Sequence, residues 1–139
     1  MHTILRYLML SLTFLLAAAG ALQAETTLLG NKGLASQKLD DDSIKAVLLG
    51  KKATLGSDRI VIIIVKASDA QDAFLKEHVG MTTEQFNTHW RRLFMSGGGS
   101  APKMVDSDAE ALKLAAETPG AVVVGDSAKA DGLAVLATK

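Results

Sequence analysis

The sequence predicts an α/β fold with a mixed, mostly parallel sheet flanked by helices. Three observations carry that prediction. Residues 60–65 form an unbroken β-branched run, and residues 121–124 form a second apolar run. Neither alternates with polar residues, as expected of strands covered on both faces. Segments of helical period lie between and around them. Strands alternating with helices imply right-handed crossovers and a layered sheet.

Residues 1–24 are set apart from the fold. They carry a single fixed positive charge at Arg6, then an apolar stretch, then small residues before Glu25. That layout is expected of a secretory signal peptide. The apolar stretch is shorter than the ~20 residues that span a bilayer. Cleavage after Ala24 or after Ala21 both fit, so membrane contact is expected only during export and the mature domain is 25–139. With Arg6 removed, the mature chain holds one more acid than base. The chain has one Trp, one Tyr and no Cys. No basic excess points to a nucleic acid. The lack of Cys excludes disulfides, thiolate metal sites and Cys nucleophiles.

In chain order, residues 27–29 start a strand that stops at the turn formers Gly30, Asn31 and Gly33. Asp40, Asp41 and Asp42 precede a helix with Ile44, Val47 and Leu48 on one face. Acids there suit the positive end of the helix dipole, and the pattern of a Ca²⁺ loop is missing. Gly50 ends that helix, and residues 53–58 read as a connection. Residues 60–65 then form the expected central strand. It feeds a helix capped by Ser68, with Gln71 as the reciprocal partner of a capping box, burying Ala70, Ala73 and Phe74. Thr82 and Gln85 repeat the pattern before a helix striped with Phe86, Trp90, Leu93 and Phe94. Residues 96–103 form a Gly-rich break without phosphate-loop spacing. A short strand over 103–105 follows. Next comes a helix capped by Ser107 and Glu110, with Ala109, Leu112, Leu114, Ala115 and Ala116 as its apolar side. After Pro119 and Gly120 come the strand at 121–124, a polar loop and a last strand near 133–136.

Several segments together resemble the phosphate-binding-protein-like family, the periplasmic solute-binding component of phosphate ABC transporters, in a short single-lobe form. They are LLGNK at 28–32, LDDDSIKAVLLGKK at 39–52, the strand and loop at 62–74, HWRRLFMSGGGSAPK at 89–103, and PGAV at 119–122. The resemblance implies a single periplasmic-binding-protein-like lobe, a periplasmic location, and phosphate or another small oxyanion as ligand. It also implies an ABC permease, a sensor protein or self-association as partner. In the family an Arg-x-x-Ser-Gly-Thr loop at a helix N-terminus contacts the anion. Ser68 falls on the Ser, Asp69 replaces the Gly, Ala70 replaces the Thr, and Lys66 lies one position from the Arg.

Each of those differences has a physical consequence. Asp69 repels an anion at the helix N-terminus, Ala70 removes a donor, and Lys66 cannot form a bidentate fork. Ser68 itself reads either as a helix cap, worth ~1 kcal/mol, or as a ligand contact. His78 and His89 lie in different helices with no nucleophile at motif spacing, so no catalytic set, metal site or cofactor is expected. Two functions remain: a weak oxyanion-binding module, or a ligand-free lobe acting as a protein-interaction or sensory scaffold.

Overall fold

A computed structural model describes residues 25–138; the signal peptide expected at 1–24 lies outside the described residues. A five-stranded sheet organises the chain, ordered from edge to edge Lys103–Val105, Val61–Val65, Ala121–Asp126, Thr26–Asn31 and Leu133–Val135. Its strands are β1 (Thr26–Asn31), β4 (Val61–Val65), β5 (Lys103–Val105), β6 (Ala121–Asp126) and β7 (Leu133–Val135). β4 runs parallel to both β5 and β6, whereas β1 pairs antiparallel with β6 and β7. The middle strand is therefore β6, not the run at 60–65. Ile60 itself stays outside β4, and its N–H donates to the Ala53 carbonyl instead.

Among the described residues four α-helices cover the two faces: α1 (Asp41–Leu48), α2 (Asp69–His78), α3 (Thr83–Met95) and α4 (Asp108–Glu117). The strict two-residue alternation of a strand divides the core accordingly. Leu28, Ile62, Ile64, Val122 and Val124 pack with α1, α2 and α3. Leu29, Ile63, Val65 and Val123 pack with Ala111 and Ala115 of α4. This is why neither run shows polar alternation. The crossover from β4 to β5 uses α2 and α3, and the return past β4 to β6 uses α4. Two crossovers of one hand, running in opposite directions, must use opposite faces.

Residues 53–58 are more than a connection. Thr54–Leu55 (β2) and Asp58–Arg59 (β3) form a small antiparallel hairpin. Gly56 takes φ +59° at its turn. Gly120 holds this hairpin against the start of β6. It has φ +79°, and a Cβ there would overlap the Arg59 carbonyl oxygen.

Several expected faces are rotated. Ala70 and Ala73 are exposed, and α2 buries Gln71, Phe74 and Leu75. Ala109 of α4 is exposed too, with Ala111 and Ala115 inward. Small alanines sit on either side of a helix at little cost, so they identify the core face poorly. Phe86 and Trp90 of α3 are buried, but Phe94, one turn further on, is 56% exposed. Among the described residues no helix is long and apolar enough to cross a membrane.

Candidate functional site

The residues singled out around Ser68 lie at the C-terminal ends of β4 and β6. That is where ligands enter open α/β sheets, beside the N-termini of the following helices. Ser68 is the N-cap of α2, and its Oγ accepts from the Gln71 N–H at 3.2 Å. The cap reading of Ser68 thus has its hydrogen bond. The reciprocal half of the box does not form. Gln71 turns inward, 1% exposed, and bonds β4 at both of its amide ends. Its Oε1 accepts from Val65 N–H and its Nε2 donates to Val65 C=O, each at 2.9 Å.

The register explains the difference. β6 pairs with β4 only from Val61 to Ile63, and the last residue of β4 has no strand partner on that side. Buried backbone groups need partners, and the Gln71 amide replaces the missing strand. Thr82 and Gln85 close both halves of their box. Ser107 caps α4 through the Glu110 N–H, while the Glu110 carboxylate accepts from the Asp106 N–H.

A cavity of about 220 Å³ opens beside Ser68. Ser68, Ala70 and Gln71 form one wall, and Asp108 and Leu112 at the start of α4 another. Thr26, Gly125, Asp126 and Lys129 close it. The first turns of α2 and α4 both border it, and a helix start carries backbone N–H groups without intrahelical partners. Asp126 Oδ1 accepts from the Ala128 N–H, which fixes the loop carrying Lys129. Of the four residues expected at the site, Ser68 and Ala70 line this cavity, and Asp69 and Lys66 do not. Asp69 is exposed in the first turn of α2. Lys66 is 2.9 Å from Asp106. The hydrogen bond and charge of Asp106 hold the Lys66 ammonium above its ordinary pKa. Thr26, Asp108, Asp126 and Lys129 were not anticipated. The signal available for them was positional: they cluster where parallel strands end.

The histidines brace α1 instead of converging. His78 Nδ1 lies 3.2 Å from Asp41 Oδ1 at the helix start. His89 Nε2 lies 2.9 Å from the Leu49 carbonyl at its end, a contact that places a proton on that nitrogen. Beside it Trp90 Nε1 donates to the Leu48 carbonyl at 2.9 Å. Two carbonyls orphaned by the end of α1 are thereby satisfied from α3.

No family model matches the chain, and no curated protein matches it. Among solved structures, an ABC-type phosphate transport receptor from Vibrio cholerae superposes with a TM-score of 0.59 at 11% identity. The match covers 81% of this chain and 45% of the receptor, so this chain spans less than half the receptor's length. A likeness at that identity shows the fold alone, a sheet flanked by helices that superposes on part of the receptor.

Proposed function

We propose that this chain is a periplasmic single-lobe binding module, exported by a leader at 1–24, that takes phosphate or a similar small oxyanion weakly. The observation that supports it most is the cavity beside Ser68, bordered by two helix N-termini and by Lys129. Helix N-termini present N–H donors and positive potential to an anion. Weakness follows from the same lining. Asp108 and Asp126 stand in the cavity wall, Asp69 stands beside it, and Lys66 is engaged by Asp106. A single lobe also cannot enclose an ion by hinge closure. A permease, a sensor protein or a second copy would supply the opposing surface.

Titration calorimetry with phosphate and with sulfate tests this. Binding weaker than micromolar is expected, lost on Lys129→Gln. Asp69→Gly is expected to tighten phosphate about 2- to 5-fold, matching the ~0.3–1 kcal/mol of one charge near a helix end. Sub-micromolar affinity in a monomer, or no response to either substitution, contradicts the proposal. A second reading, a scaffold that docks on protein, is favoured by Phe94, Met95 and Met104. These are 56%, 79% and 49% exposed near the open edge of β5. Loss of self-association on Met104→Glu, measured by light scattering, would support it.

A further inference from the structure

A second cavity lies at the opposite end of the sheet, where β4 and β5 begin. Its volume is about 440 Å³, within the roughly 300–1,000 Å³ typical of small-molecule sites. Its apolar lining comes from Val47, Ile60, Ile62 and Trp90, and the loop at 97–101 covers it. The Trp90 ring is fixed on two sides. Its Nε1 donates to Leu48, and the ring lies across Gly50, where a Cβ would come within 2.7 Å of Cη2. Gly50 has φ +79°, so both conformation and space keep this position a glycine. Gly98 N–H donates to Leu93 C=O at 2.8 Å, tying the loop to the end of α3.

The charges around this cavity are of one sign. Lys52, Arg59 and Lys103 are its ionisable residues, and no Asp or Glu lines it. None of the three forms a salt bridge with another described residue. In a chain of formal charge zero, three uncompensated cations around an apolar floor create a local field that favours an anion. Bare phosphate would leave the Trp90 floor unused, whereas a neutral apolar molecule would leave the cations unused.

We propose that this cavity binds a small amphiphilic anion, with a carboxylate or phosphate head among the cations and an apolar body over Trp90. This site is separate from the one beside Ser68 and does not depend on it. Trp90 is the only tryptophan in the chain, so its fluorescence reports occupancy directly.

The test titrates the protein with decanoate below its micelle concentration, with decanol as the neutral counterpart. A saturable change with decanoate is expected, with decanol weaker by about 3- to 10-fold, as two exposed charge pairs would give. The exposed double variant Lys52→Gln/Arg59→Gln, checked for folding by circular dichroism, should weaken decanoate by the same factor. Phe94→Ser, outside the cavity, should leave binding unchanged. Amide chemical shifts should move at 53–60 and 97–101 and stay fixed at 68–71. Equal binding of decanoate and decanol overturns the proposal, as does an unaffected double variant or the absence of saturation. Loss of binding in Phe94→Ser overturns it too, by placing the ligand on the outer surface.

Discussion

Ser68 to Gln71 and Thr82 to Gln85 carry the same capping pattern and build different structures. In the second, Thr82 accepts from the Gln85 N–H and Gln85 Oε1 accepts from the Thr82 N–H at 2.9 Å. That box is closed and exposed. In the first, the hydroxyl half forms but the amide half is diverted into the core. Proximity to a strand decides between them. Ser68 follows β4 closely, so Gln71 faces an unpaired backbone. Thr82 follows a turn at Gly80, and nothing buried competes for Gln85. The two motifs are also joined. Asp72 accepts from the Thr83 N–H at 2.8 Å, and Gln71 Nε2 reaches Thr83 Oγ1 at 3.4 Å.

The contrast breaks most clearly at the two glutamines. Gln71→Ala leaves both backbone groups of Val65 unpaired and opens a void. A loss of about 2–4 kcal/mol is expected in urea unfolding. Gln85→Ala, on the surface, should cost only about 0.5 kcal/mol. If the two substitutions cost the same, the amide of Gln71 does not replace a strand. Between these extremes, Ser68→Ala and Thr82→Ala should each cost ~1 kcal/mol. For Ser68 that appears as a melting point lower by about 3–5 °C with or without phosphate. Unchanged stability together with lost anion binding would make Ser68 a ligand contact instead.

The link between the motifs gives a pH signature. The Thr83 N–H, then Lys76, hold the Asp72 carboxyl below its ordinary pKa. A lowered folded pKa stabilises the fold above the unfolded value and loses that contribution as pH falls through the folded one. The stability difference between the protein and Asp72→Asn should therefore be present at neutral pH and shrink from about pH 4 downward. A difference independent of pH would detach the carboxylate from the cap.

The layers and most elements were legible because apolar runs and capping residues act locally. Residues 121–124 read as a buried strand without help from any neighbour. The central position of β6 was not legible, since strand order depends on pairings between distant segments. The hairpin at Thr54–Leu55 and Asp58–Arg59 was missed because its strands are two residues long, too short for periodicity. Of the site, Ser68 was visible as a cap. Asp108, Asp126 and Lys129 were not, because the topology alone brings the ends of β6 and α4 beside it. Gln71 was assigned to the right helix but the wrong bond, since its true partner is a strand end that only the register defines.

The strand order has a consequence for how the chain reaches its native state. β1, the first strand, lies between β6 and β7, the last two. β4 likewise meets β6 only after two crossovers. The sheet therefore cannot close until nearly the whole polypeptide is available, and its key pairings span long stretches of chain. Such topologies fold more slowly than helical bundles, whose contacts are local. A partly synthesised chain leaves β1 without neighbours. The backbone donors and acceptors of β1 gain their strand partners only when the last segments arrive.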